Sequence, residues 1–241
     1  LCNTTSFYLL ESIKMILFET DLFVIIITFK SLNNKTGDMC QVWIINKEFD
    51  PVTAVKNGSN SIICFDCKHK GETCYVNQGQ APLSVYKAYK NGLYQPLDYD
   101  VLKYQLKHKY VRFGAYGEPV LIPIELMQFI AENSKGYTGY THQWSDKKYS
   151  DYKQYLMASV DTAEEYENAT LDGWRCYRVS SDNTPLKGEI ICPNTTDNIQ
   201  CRDCRLCDGL HNHPNAKNIV TLVHGTVGKI NAFNRIAIAT I

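Results

Sequence analysis

Short runs of β-branched, apolar residues alternate along this chain with turn-rich polar stretches and with segments whose apolar residues recur at helical spacing. Residues 22–29 (LFVIIITF) form such a run and predict a strand. Asn33, Asn34, Gly37 and Asp38 mark a turn, and residues 41–45 (QVWII) predict a second strand that closes a hairpin with a longish loop. A polar segment follows at 64–74, then a helix over 81–89 that opens near Pro82. Residues 91–108 are rich in Tyr and Lys and give no clear period. From 110 the rhythm changes: a strand at 110–116 (YVRFGAY), then a helix at 124–133 with Ile124, Met127 and Ile130 on one face. Strands are predicted at 138–144 (TGYTHQW), 155–160 (YLMASV), 175–179 (RCYRV) and 217–224 (KNIVTLVH). Between them, Thr162 with Glu165 reads as a capping box opening a helix that Gly173 closes. No period of 20 to 50 residues marks a solenoid.

Strands alternating with helices predict an α/β protein with a parallel sheet and helices packed outside it. An open doubly wound sheet and a closed or partial β/α barrel both fit this order. The polar residues at strand ends favour the barrel. Glu118 follows YVRFGAYG, His142 and Gln143 end TGYTHQ, Asp161 follows YLMASV, Arg178 lies in RCYRV and His224 ends NIVTLVH. In barrels the C-terminal rim of the strands carries the active site. Glu118, His142, Gln143, Asp161 and His224 are therefore candidate catalytic residues. Taken singly, each also reads as a loop polar group or helix cap, Asp161 above all. The expected organisation is a barrel-like α/β domain at 22–225 with cysteine-rich, metal-binding insertions at 64–74 and 192–207. Residues 1–21 read as an extension foreign to that domain, with Met15 as a candidate start, and 226–241 as a tail.

The chain has 241 residues and balances 25 basic against 25 acidic side chains, so no global charge excess directs it to nucleic acid or an anionic membrane. Glu11, Lys14, Glu19 and Asp21 interrupt the apolar stretch at 7–29, which makes it a poor bilayer span and a poor signal peptide. Five glycosylation-type triplets, at Asn3, Asn34, Asn57, Asn168 and Asn194, are read as chance, and the protein as intracellular.

Ten cysteines change the picture. Disulfide frameworks belong to small secreted domains without a core, whereas short C-x-x-C spacings serve metal or redox chemistry. Cys192-Pro193 followed by Cys201, Cys204 and Cys207 can complete a tetrahedral zinc site or hold a cubane iron–sulfur cluster. Cys64, Cys67 and Cys74 leave one position open, the usual requirement for chemistry at a metal. The plainer alternative is a structural zinc closed by His69, or by remote Cys40 or Cys176. His211 and His213 read as loop residues. No G-x-S-x-G, phosphate-binding loop or dinucleotide fingerprint occurs.

Taken together, CFDC…CYVNQGQAPLSVY, VRFGAYGEP, GYTHQW, MASVDTAEE, GWRCYRV, CP…CRDCRLCDG and VTLVHG resemble an uncharacterised family of bacteriophage and prophage proteins, over roughly residues 28–225. A more distant resemblance is to phage-encoded proteins of the radical S-adenosylmethionine type. That resemblance implies a partial or full barrel in which Cys64, Cys67 and Cys74 hold a 4Fe-4S cluster with S-adenosylmethionine on its open iron. Cys192, Cys201, Cys204 and Cys207 would hold an auxiliary cluster. It also implies the host cytoplasm as location and an unknown substrate, with nucleic acid a candidate. The spacing departs from the usual C-x-x-x-C-x-x-C, being C-x-x-C-x6-C, and no glycine-glycine-glutamate strand follows. The reading from a different class is a non-enzymatic structural-zinc protein that binds nucleic acid or a protein partner. Lys87, Lys90, Lys103, Lys107 and Lys109, interleaved with Tyr86, Tyr89, Tyr94 and Tyr104, would supply its basic aromatic patch; a solvated helix face is the plainer reading of those residues.

Overall fold

Three strands open the fold: β1 (Lys14–Glu19), β2 (Phe23–Thr28) and β3 (Cys40–Asn46), paired antiparallel in that order. The computed structural model describes residues 14–239 apart from 72 and 183, with side chains described up to 235. Cys2, the Asn3 triplet and the rest of 1–13 lie outside the described residues. Ile25, Ile26, Ile27, Val42, Ile44 and Ile45 are fully buried, as a continuous apolar run requires of a strand covered on both faces. β1 falls inside the stretch read as a foreign extension. Its Met15 and Leu17 are buried while Lys14 and Glu19 stay exposed. Two of the charges that spoil this segment as a membrane span, Lys14 and Glu19, are thus the exposed end positions of an edge strand.

Four helices follow: α1 (Pro51–Asn57), α2 (Ser61–Cys64), α3 (Ala81–Lys90) and α4 (Tyr99–Leu106). α4 lies in the segment without a clear period. Asp98 caps it by accepting from the Asp100 and Val101 amides, and only Leu102 and Leu106 are buried, too few to stand out among the tyrosines and lysines. β4 (Tyr110–Tyr116) then pairs parallel to β3, and after α5 (Ile124–Asn133), β5 (Gly136–Thr138) pairs parallel to β4.

The strand expected at 138–144 is split. β5 ends at Thr138, Gly139 intervenes, and β6 (Tyr140–Thr141) begins a second sheet. A Cβ on Gly139 would lie 2.5 Å from Leu156 Cδ2 and 3.0 Å from Phe113 Cβ, so glycine lets these side chains pack closely where the two sheets meet. The second sheet adds β7 (Met157–Val160), α6 (Ala163–Leu171), β8 (Cys176–Ser180), β9 (Glu189–Ile191), the short helices α7 (Pro193–Asp197) and α8 (Cys201–Cys204), and β10 (Asn218–Leu222). Thr162 caps α6, accepting from the Glu165 amide at 3.1 Å, while Glu165 reaches back to the Asp161 amide at 2.7 Å. The described residues end in α9 (Val227–Ala239), a helix within the segment read as a tail.

The architecture is mixed α/β. One five-stranded sheet runs β1-β2-β3-β4-β5 and the other β6-β7-β8-β10-β9, the second parallel throughout. No helix among the described residues is long and apolar enough to cross a membrane.

Candidate metal centre and its cavity

Parallel strands present alternate residues to one face, and here one face encloses a cavity of about 370 Å³. β4 contributes Arg112, Gly114 and Tyr116, and Glu118 follows in the same phase. β6 and its end contribute Tyr140 and His142, β7 Ser159 and Asp161, β8 Tyr177 and Val179, and β10 Thr221 with Val223 and His224 beyond it. Cys64, Cys67 and Cys74 close the wall, and Phe233 of α9 reaches it as well.

Local backbone explains how the first cysteine group arrives there. α2 ends at Cys64, and Phe65 turns the chain with φ of 49°. The Cys67 amide then donates to the Cys64 carbonyl at 3.0 Å, which makes C-x-x-C a single tight turn. The Glu118 amide donates to the Ile63 carbonyl at 2.8 Å, stitching this turn to the end of β4. Gly117 makes that join possible: at φ of 81°, a Cβ would sit 2.7 Å from Ile44 Cβ and 2.9 Å from the Ile44 carbonyl. Cys74 is held from the other side, where Lys229 of α9 donates to its carbonyl oxygen. Burial pushes the Cys64 thiol up, and Cys74, Cys67 and Glu118 beside it add to the shift.

Two carboxylates face these thiols. Glu118 and Asp161 have side chains only 3% and 4% exposed. Asp161 Oδ2 accepts from His69 Nε2 at 2.6 Å and from Lys68 at 2.8 Å. Burial works against its charge, but His69 and Lys68 outweigh that and hold its carboxyl below the ordinary range. Glu118 Oε2 accepts from the His142 amide at 3.2 Å and lies 3.8 Å from His142 Nδ1. The other oxygen of each carboxylate, Glu118 Oε1 and Asp161 Oδ1, is buried without a partner, and such groups cost about 1–3 kcal/mol each when left alone. Burial disfavours a charged His142, yet the neighbouring Cys67 and Glu118 outweigh it and raise its pKa well above the usual value. Cys67 and Glu118 thus flank His142 in the cavity wall.

His69 does not close a four-ligand site here. Its Nε2 is taken by Asp161 and its Nδ1 meets Thr73 Oγ1 at 2.9 Å, while its ring stacks on Phe233 at 5.7 Å. Cys40 and Cys176 are also elsewhere: both are fully buried, and their thiols point at the Phe29 carbonyl and at the Tyr166 and Trp174 carbonyls.

The second cysteine group surrounds a separate, smaller space. Cys192, Cys201, Cys204 and Cys207 line a cavity of about 20 Å³, room for about one water molecule. The Cys192 amide is tied to the Val220 carbonyl of β10 at 2.8 Å, and the Cys201 amide to the Lys35 carbonyl at 3.0 Å. The Cys207 carbonyl accepts from Gly139 at the sheet junction, at 3.0 Å. Arg175 anchors the loop from within: its guanidinium bonds the Leu206, Gly209 and Lys217 carbonyls and pairs with buried Asp208 at 2.9 Å. Burial pushes the Cys207 thiol up; Tyr140 lowers it, and Cys201, Cys192 and Cys204 raise it further. Tyr140 and Tyr177, with ring centroids 4.3 Å apart, line both cavities, as do Cys201 and Lys35. Among the described residues, no three His, Cys, Asp or Glu side chains converge as a ready-made ligand set for one metal ion.

Four of the five candidate catalytic residues meet in the large cavity: Glu118, His142, Asp161 and His224. Gln143 does not line it; its amide donates to Asp66 Oδ1 at 3.0 Å. Arg178 is out of phase with Tyr177 and Val179 and pairs with buried Glu189 at 2.7 Å. Strand-end reading missed Arg112, Tyr116 and Tyr177, although counting back by twos from Glu118 reaches the first two. Lys35, Tyr75 and Phe233 come from loops and α9, where no periodicity points to them. No protein-family profile, no curated protein and no solved structure matches this chain.

Proposed function

We propose that the protein binds metal through its two cysteine groups, as iron–sulfur, and carries out cluster-dependent chemistry on a substrate held in the large cavity. The observation that carries this reading is that Cys64, Cys67 and Cys74 line the same cavity as Glu118, His142 and Asp161. Three soft thiolates would leave a coordination position open on a cluster they held, and the cavity they line is of ligand size. The cluster would supply one-electron chemistry or a Lewis-acidic iron. The chain's own contribution is the two half-satisfied carboxylates and the His142–Glu118 pair, which orient a substrate and hold a proton. Cys192, Cys201, Cys204 and Cys207 would hold a closed group. Cavity walls drawn from alternate residues of β4, β6, β7, β8 and β10 support a sheet curved into a partial barrel, as does the resemblance to radical S-adenosylmethionine proteins of phages.

A second reading has one observation in its favour. The space among the four C-terminal thiols is small, which suits a single structural zinc in a protein without enzymatic activity.

Selective variants separate these readings. In protein purified without oxygen, Cys74→Ala should lose the metal of the first group and spare that of the second, with Cys204→Ala doing the reverse. Equal loss from both variants would mean a single shared site. If iron is present, incubation with a reductant and S-adenosylmethionine should cleave the cofactor in the wild type and not in Cys74→Ala. An intact cofactor would remove the radical reading and leave a cluster protein of another kind.

A further inference from the structure

The mouth of the large cavity carries positive charge that no carboxylate answers. Lys35 and Arg112 supply that charge; His224 lines the cavity beside them, its pKa lowered by burial and then by Lys35 and Arg112, so its ring joins them as a neutral partner. Lys35 Nζ meets His224 Nε2 at 3.2 Å, and Arg112 Nη2 donates to the Tyr75 hydroxyl at 2.6 Å. Tyr75 stands between them, its ring 5.8 Å from the Arg112 guanidinium and 6.1 Å from the His224 ring. Among the described residues, no ion pair includes Lys35 or Arg112. Arg112 Nε is buried with no partner at all. Like charges gathered at a cavity mouth are unfavourable unless something of opposite charge joins them. The cavity's own carboxylates each spend one oxygen elsewhere, Asp161 Oδ2 on His69 and Lys68 and Glu118 Oε2 on the His142 amide, and neither pairs with Lys35 or Arg112.

We propose that Lys35, Arg112 and His224 form a subsite for the anionic group of a small ligand, a phosphate monoester or a carboxylate, whose body extends along the cavity past Tyr75 toward the cysteines. A guanidinium fork matches the paired oxygens of either anion. Lys35 adds a point charge, and the exposed Tyr75 ring offers a face to the group that follows. The acidic end of the cavity repels an anion, so the ligand enters in one orientation. The subsite stands on these side chains alone and requires no metal. The competing use of the same cations is to neutralise thiolates, because Cys201 is raised by burial while Arg112 and Lys35 pull it back down.

Calorimetric titration of the full chain in phosphate-free buffer distinguishes the two. The probes are adenosine 5′-monophosphate against adenosine for the phosphate arm, and benzoate against benzamide for the carboxylate arm. In at least one arm the charged probe should bind about tenfold or more tightly than its neutral counterpart, and added salt should erode the difference. Arg112→Gln should abolish that preference. Lys35→Gln, at the more open position, should weaken it and serves if Arg112→Gln does not fold. Lys147→Gln, at a remote exposed ion pair, should leave it unchanged. Equal binding of charged and neutral probes, or no binding of either charged probe, would overturn the proposal. So would an Arg112→Gln protein that loses metal from the C-terminal group yet keeps its preference for the anion.

Discussion

Replacing Arg175 by Met tests how the C-terminal cysteine loop is held. Arg175 and Asp208 have side chains only 4% and 2% exposed and pair at 2.9 Å. The same guanidinium donates to the Gly209, Leu206 and Lys217 carbonyls at 2.8, 2.6 and 3.1 Å. Methionine keeps most of the aliphatic volume but leaves Asp208 Oδ1 and those carbonyls without their donor. Breaking one side of a buried pair costs about 3–5 kcal/mol. His213, which still bonds Asp208 Oδ2, places the expectation at about 3 kcal/mol. Against a total stability on the order of 5–15 kcal/mol, that is a large fraction. At a urea slope of about 3 kcal/mol/M it moves the midpoint down by about 1 M. The assay is equilibrium urea unfolding of reduced, metal-free protein followed by circular dichroism. Arg175→Met/Asp208→Leu removes both charges, and its cost should fall short of the sum of the two single variants by about 2 kcal/mol. A loss under about 1 kcal/mol for Arg175→Met, or strict additivity in the double variant, would refute the claim that this pair organises the loop.

Gly117→Ala should destabilise by about 1–3 kcal/mol through positive-φ strain, with more from the 2.7 Å approach to Ile44 Cβ; a thermal melt within a degree of wild type would contradict this. Metal uptake should weaken as pH falls, because the thiols of Cys64, Cys201 and Cys207 are pushed up by burial and must lose protons to bind. Below the thiol pKa values, affinity should drop by up to about tenfold per thiol per pH unit, and a pH-independent affinity measured by chelator competition would argue against thiolate ligation. Asp161→Asn should cost about 1–3 kcal/mol at neutral pH, because His69 loses its charged acceptor while Lys68 keeps Glu165 at 2.7 Å. Because the folded-state pKa of Asp161 lies below 3.8, its contribution is present above 3.8 and fades as pH falls through the folded value. The gap between wild type and variant in urea midpoint should therefore narrow in acid, and a constant gap would place the stabilisation elsewhere.

Part of the architecture is legible in the chain because β2, β3 and β7 are near-continuous apolar runs buried on both faces, whether their neighbours run parallel or antiparallel. Residues 124–133 and 110–116 coincide with α5 and β4. β1 is obscured because an edge strand with alternating burial looks like a charge-broken apolar segment. The break at Gly139 is invisible because the side chains that crowd it, Leu156 and Phe113, are distant in sequence. At the site, strand-end position brought Glu118, His142, Asp161 and His224 together, since the end of a parallel strand is the end of every neighbour. Gln143 escaped because one residue of register separates a cavity-facing side chain from one that bonds Asp66. His69 lies in the loop bearing Cys64, Cys67 and Cys74 as a zinc ligand would, and only the fold reveals that Asp161 and Thr73 occupy its ring nitrogens.

Iron, zinc and acid-labile sulfide in protein purified without oxygen test the central claim most directly. A coloured protein with iron and sulfide in about equal amounts, lost in part when Cys74 is replaced, is the result expected. A colourless protein with two zinc ions and no sulfide would contradict it.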